Sequence, residues 1–150
     1  MDRPVAAIYD ANILYPAPLR DLFIRLAQAG LVQARWTEQI HDEWVRNVLK
    51  DNPQLSPERL ARTRTLMNEA VRDCLVTGYE DMIGSLVLPD PDDFLLGLLD
   101  LEPGAFCGAV KRQRESLRNP PKTAQELLGT LEGHGLTQTV ARLRQFIDLL

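Results

Sequence analysis

The spacing of apolar residues changes character along the chain, and each change marks an element. Val5-Ala6-Ala7-Ile8-Tyr9 is a short unbroken apolar run that stops at Asp10. Such a run fits a buried strand that delivers a carboxylate at its C-terminal end, where open α/β sheets place their ligands. After the Tyr15-Pro16-Ala17-Pro18 break, Leu19, Leu22, Phe23, Leu26 and Ala27 recur every three or four positions and Gly30 closes the segment, which predicts an amphipathic helix. Residues 31–36 read as a second strand. Strand, helix and strand together predict a βαβ unit with parallel strands.

Thr37 stands as N-cap of a further helix striped by Ile40, Trp44 and Val48, with Val45 and Leu49 beside them, and Asp51-Asn52-Pro53 ends it. Ser56-Pro57 has the cap-then-first-turn arrangement of a helix running to about Arg72. Cys74-Leu75-Val76 fits a short third strand, and residues 79–85 a brief helix before the turn-rich Leu88-Pro89-Asp90-Pro91-Asp92-Asp93. From Phe94 the pattern is helical throughout. Leu95, Leu96, Leu98, Leu99 and Leu101 give one dense apolar helix broken at Glu102-Pro103-Gly104, and a basic helix then carries Lys111, Arg112, Arg114 and Arg118. Thr123 caps a helix with Leu127, Leu128 and Leu131. Thr137 is expected to cap the last, with Val140, Leu143, Ile147 and Leu150 at core spacing.

The expected fold is therefore α/β: a small, mostly parallel sheet flanked by helices, with a helical C-terminal extension. One domain is expected, residues 1–93 forming the α/β part and 94–150 the helical part. A chain of 150 residues, 45% apolar, can bury a core without staples. Its two cysteines, Cys74 and Cys107, read as reduced buried thiols. The opening Met1-Asp2-Arg3-Pro4 and the early Asp10 suit neither an export signal nor a membrane span, so a cytoplasmic location is expected. A net charge of −4 argues against gripping nucleic acid by global attraction, but it suits carboxylates gathered around a divalent cation.

The residues with chemical potential are Asp10 at a strand end, Glu43 in the helix after the next strand, and Asp90, Asp92 and Asp93 at a helix start. Hard divalent cations take oxygen ligands, and phosphodiester hydrolysis uses them to orient water and neutralise charge developing on phosphate. Asn12, two residues past Asp10, is placed to fix that loop or a metal-bound water. Each acid has an ordinary use too: Asp10 as a turn residue, Glu43 as a solvated helix position, Asp90 to Asp93 as loop and N-cap. Lys111, Arg112 and Arg114 offer RNA backbone contacts or simply a solvated face. His41 and His134 lack partners at metal spacing, and Trp36 and Trp44 read as core.

The run Val5 to Pro16, with Asp10-Ala11-Asn12 at its centre, resembles the opening of PIN-domain ribonucleases, and Arg35-Trp36-Thr37 with Ile40-His41-Asp42-Glu43 is similar to their second strand and second acid. Leu88-Pro89-Asp90-Pro91-Asp92-Asp93 resembles their third acidic motif. The likeness is to the VapC-like branch of toxin–antitoxin systems. It implies a Mg²⁺- or Mn²⁺-dependent endoribonuclease acting on RNA, with Asp10, Glu43 and Asp93 as catalytic metal ligands, Asp90 beside them, Asn12 in support and an antitoxin as partner.

In that family the third acid opens a helix leading to another core strand and a fourth polar ligand. Here Asp93 runs straight into Phe94-Leu95-Leu96-Gly97-Leu98-Leu99, which resembles the later segment that follows the strand. The resemblance therefore implies a scaffold lacking about one βαβ-sized unit. A sheet short of an interior strand leaves backbone groups to be covered, so a homodimer is expected. Two readings stay open: a weakened ribonuclease, or a catalytically silent binding and dimerisation module. A deletion product without its own function is a third.

Overall fold

The computed structural model describes residues 5–71, 73–75 and 90–150. Strand β1 (Val5–Ile8) is followed by helices α1 (Ala11–Leu14) and α2 (Ala17–Gln28) and then strand β2 (Val32–Arg35). The two strands pair in parallel, Val5 opposite Val32 and Ile8 opposite Arg35, as the βαβ reading anticipates. The amide of Tyr9 extends the ladder to the Arg35 carbonyl at 2.8 Å. The brief helix α1 is absent from the sequence reading, which gives residues 11–14 no element. Asp10 creates it by accepting a hydrogen bond from the Ile13 amide at 3.1 Å.

Helix α2 buries Leu19, Leu22, Phe23 and Leu26, the positions its periodicity marks. It ends as the sequence suggests: Gly30 takes φ +82°, a left-handed conformation that a Cβ would penalise. The Gly30 amide then reaches the Ala27 carbonyl and the Leu31 amide the Leu26 carbonyl, satisfying carbonyls the helix leaves open. That reversal returns the chain to start β2 beside β1.

Helix α3 (Glu38–Asp51) follows, with the Thr37 side chain accepting from the Ile40 amide at 3.0 Å as expected. Helix α4 (Pro57–Ala70) starts on Ser56 with Pro57 in its first turn. Of the third strand expected at 74–76, the described residues show a parallel bridge between Trp36 and Leu75, with the Trp36 amide donating to the Cys74 carbonyl at 2.7 Å; Val76 lies outside the described residues. The brief helix expected at 79–85 lies outside the described residues. The C-terminal half comprises α5 (Pro91–Leu101), α6 (Pro103–Ser116), α7 (Ala124–Gly133), α8 (Thr137–Leu143) and a closing 3₁₀ turn (Arg144–Leu149). Helix α5 begins three residues before Phe94 because Asp90 caps it and Pro91 fits its first turn. The basic helix likewise begins earlier, at Pro103.

One apolar cluster runs through both halves, from Tyr9, Phe23 and Trp36 to Leu95, Phe106, Leu131 and Val140. Helix α6 packs on α2, and the Gln113 side chain donates to the Pro18 carbonyl at 3.0 Å. Both cysteines are buried and free. No described helix is long and apolar enough to cross a membrane.

At the C-terminal end of the strands lies a buried polar chain. His41 is fully buried; its Nε2 meets the Asn68 Oδ1 at 2.9 Å and its Nδ1 accepts from the Trp44 Nε1 at 3.0 Å. The same Asn68 oxygen accepts from the Trp36 Nε1 at 2.8 Å. Nδ1 must be unprotonated to accept from an indole that only donates, so the imidazole is neutral with its proton on Nε2. Burial is the main cause that lowers the His41 pKa below the ordinary 6.5. The unfolded chain therefore takes up a proton before the native one does, and stability falls as pH drops below about 6.5 toward the native pKa. Urea unfolding across pH 5 to 8 is expected to show this slope in the native sequence and to lose it in His41→Gln; an unchanged slope in that variant would show that other groups cause it.

Candidate functional site

Asp10 sits where the sequence puts it, at the C-terminal end of β1 and half-buried, but its carboxylate is engaged as the cap of α1. Asn12 is exposed on the first turn of that helix. Glu43 is exposed on α3, which packs against α1. Glu43 is the sixth residue of α3, so about 7.5 Å of helical rise lies between it and the start of that helix. The inward face of α3 is occupied by His41, Trp44 and Val48.

The acids at 90–93 are used differently. Asp90 is exposed, and its side chain accepts from the Asp92 amide at 3.0 Å, capping its own helix. Asp92 is 6% exposed. Its Oδ1 accepts from the Thr139 amide at 2.9 Å and the Thr139 hydroxyl at 2.8 Å, and its Oδ2 accepts from the Gln138 amide at 2.9 Å. Asp93 is exposed and accepts from the Gln138 side-chain amide at 2.7 Å. Gln138 and Thr139 are the second and third residues of α8, the positions whose amides an N-cap side chain normally satisfies. The residue in the cap slot is Leu136, which has no acceptor to offer. Asp92 thus supplies from α5 the cap that α8 lacks, and the negative charge sits at the positive end of the helix dipole.

This corrects the expectation that Thr137 caps the last helix: Thr137 is inside it, and its hydroxyl lies 3.4 Å from Asp92 Oδ2. Burial pushes the Asp92 carboxyl up, but the hydrogen bonds from Thr139 and Gln138 outweigh it and hold the group below the ordinary carboxylate value. The sequence shows these acids plainly, yet nothing in it says that Asp92 reaches a helix some forty-six residues away.

Among the described residues, no three of His, Cys, Asp and Glu lie close enough together to hold a metal ion. Asp10 lies at the end of β1 and Glu43 on the exposed face of α3, whereas Asp90, Asp92 and Asp93 stand at the start of α5, where Asp92 and Asp93 meet α8. The described carboxylates therefore do not fit a three-acid Mg²⁺ or Mn²⁺ centre. Of the basic candidates, Lys111 and Arg112 are exposed on α6, while Arg114 is half-buried and its Nε donates to the Leu150 carbonyl at 2.5 Å. Sequence reasoning passes over two residues. Arg20 is one: its guanidinium donates to the Leu14 carbonyl at 2.8 Å and lies 4.6 Å from the Trp44 ring centroid. The other is Gln113, a long polar side chain only 2% exposed.

Residues 91–145 match the family model of the VapC50 C-terminal domain. No curated protein and no solved structure matches the chain. The matched stretch spans α5 to α8.

Removing the shared carboxylate leaves two helix-start amides and a buried hydroxyl without their acceptor. Asp92→Ala is expected to lower unfolding free energy by about 3 kcal/mol at neutral pH, while Asp93→Ala, on the surface, changes it little. The Asp92 contribution is present above the ordinary carboxylate pKa and is lost as pH falls toward its lower native value. Chemical denaturation of both variants at pH 7 and pH 3 checks the pair; equal effects of the two substitutions would refute the shared cap.

Proposed function

We propose that this chain is a VapC-like protein of a toxin–antitoxin system, built on a PIN-type ribonuclease scaffold whose hydrolytic site is reduced. One conjunction carries the reading: a helical unit that matches the VapC50 C-terminal domain follows a parallel βαβ opening whose first strand ends in Asp10. RNA is the substrate class, an antitoxin protein the partner, and self-association the route by which the short sheet is covered. On this reading Asp10, after β1, and Glu43, on α3, are the acids that would hold Mg²⁺ or Mn²⁺, with Asn12 in support. Two carboxylates bind such ions less firmly than the larger oxygen sets these ions prefer, so hydrolysis is weak.

A second reading has its own support. Because Asp92 and Asp93 are engaged by Gln138 and Thr139, the chain also fits a silent binding module that associates with an antitoxin or with a second copy.

Cleavage of a mixed RNA substrate in Mg²⁺ or Mn²⁺ separates the readings. For the ribonuclease, slow metal-dependent cleavage is expected from the native chain and none from Asp10→Asn. Cleavage that survives in Asp10→Asn would remove Asp10 from the mechanism. Absence of both cleavage and calorimetric Mn²⁺ binding would leave the binding module.

A further inference from the structure

A hollow of about 500 Å³ opens among the α1–α2 junction, the C-terminal end of α3, the start of α4 and the end of α7. None of the acids discussed above lines it. Its apolar wall comes from Pro18, Val48, Leu55 and Leu60, and its nitrogen donors from Arg20, Arg59 and His134. On a chain of net charge −4, no Asp or Glu lines it among the described residues. Its size falls within the range of small-molecule sites, about 300 to 1,000 Å³.

Arg20 says what the hollow is suited to hold. Burial lowers its pKa below the ordinary value, with the charge of Asp21 partly offsetting that. Its Nη1 donates to the Leu14 carbonyl at 2.8 Å and the Tyr15 carbonyl at 3.3 Å, and the guanidinium carbon lies 4.6 Å from the Trp44 ring centroid. Nε and Nη2, the side-on pair of donors, have no acceptor among the described residues. Neither is sealed off, because among those residues Gln113 Oε1 is the only buried side-chain polar atom without a partner. No described carboxylate forms an ion pair with Arg20: Asp21 pairs with Arg25 at 3.1 Å, and Asp51 accepts from the Tyr15 hydroxyl at 2.6 Å. Arg59 and His134 are exposed, and their side chains likewise have no partner among the described residues. A guanidinium withdrawn from water without a counter-ion favours an anion beside it. Because Nη1 is fixed by two carbonyls, the remaining side-on pair is held ready for bidentate contact with a phosphate.

We infer that this hollow binds a small phosphomonoester, its phosphate toward Arg20, Arg59 and His134 and its organic body against Leu55 and Leu60. The phosphate brings the negative charge and the acceptor oxygens that these donors lack, and the aliphatic wall gives the rest of the molecule apolar surface to cover. A few polar groups that fix orientation within a mostly apolar lining are the usual make-up of such sites. The inference stands whether or not the chain cleaves RNA, because it uses none of the acids of that reading.

The test titrates the full chain by calorimetry with phenyl phosphate, inorganic phosphate and phenol. Phenyl phosphate is expected to bind about tenfold more tightly than either fragment, or better. Arg59→Gln and His134→Gln, at exposed positions, should each weaken it severalfold while leaving the melting temperature of the free protein unchanged. Arg62→Gln, exposed on the same helix but outside the hollow, should bind as the native chain does. Arg20→Lys keeps the charge but loses the side-on pair and should also weaken binding; its thermal melt separates lost binding from lost fold. Independently, with ¹³C-methyl leucine labelling, the Leu55 and Leu60 signals should shift on adding phenyl phosphate and that of Leu143, buried in α8, should not. The inference is overturned by equal affinity for phenyl phosphate and either fragment, by Arg59→Gln and His134→Gln binding as well as the native chain, or by Leu55 and Leu60 signals that do not move. Displacement of phenyl phosphate by an equal concentration of an RNA oligonucleotide with a 5′-hydroxyl end would also overturn it, in favour of a surface for phosphodiester backbone.

Discussion

The arrangement of the C-terminal half depends on one buried carboxylate serving a helix other than its own. Helix α7 ends at Gly133, and Gly135, with φ +99°, turns the chain so sharply that α8 begins two residues later with Leu136 in the cap slot. The Leu136 amide is used to close α7 on the Leu131 carbonyl, and its side chain is 2% exposed. A leucine there buries apolar surface but leaves the first amides of α8 open, and amides so placed need an acceptor. Asp92 fills the need, with Asp90 capping the helix that presents it. Packing and capping are thereby assigned to different residues, and α5 and α8 are fixed in register at their starts.

From that contact the rest of the docking follows. Helix α6 continues from α5 across Pro103 and buries Phe106, Cys107, Ala109 and Val110, and it meets α2 where Gln113 bonds Pro18. Arg114 anchors the end of the chain on the same helix. The βαβ opening has its own centre in the Trp36, His41, Trp44 and Asn68 chain. There a single amide oxygen, Oδ1 of Asn68, accepts hydrogen bonds from the imidazole of His41 and the indole of Trp36. Such an arrangement tolerates burial because its polar atoms find partners, and it orients the indoles that pack under the strands. The exposed acids and bases around it contribute little to the architecture. For instance, Arg64 bridges Glu38 and Asp42 across the outer faces of α3 and α4, where solvent screens such pairs.

Much of the fold is legible in the residues. The apolar run ending at Asp10, the spacing of Leu19 to Leu26 and the closing Gly30 lead directly to a parallel strand pair joined by a helix. Thr37, Ser56 and Thr123 announce three helix starts because their caps are local, reached by a side chain within three residues. The start of α8 is misread for the opposite reason: Thr137 has the right chemistry, but its cap comes from Asp92, across the core. Helix α1 is missed because four residues carry too short a period to register. Among the candidate site residues, Asp10 is found at the strand end as expected, yet its engagement with the Ile13 amide is invisible in a string of letters.

The sequence by itself determines the strand pair, the longer helices and the faces they turn inward, because propensity, caps and periodicity act over a few neighbouring residues. It also supplies a set of acids, Asp10, Glu43 and Asp90 to Asp93, at element starts and ends. Tertiary structure decides which of those acids meet. Asp90, Asp92 and Asp93 look interchangeable with metal ligands in sequence, but once folded they answer to the amides and side chains nearest them, and those lie at the start of a distant helix. A carboxylate binds whichever positive or hydrogen-donating group the fold brings close, and that choice rests on long-range packing that no local pattern records.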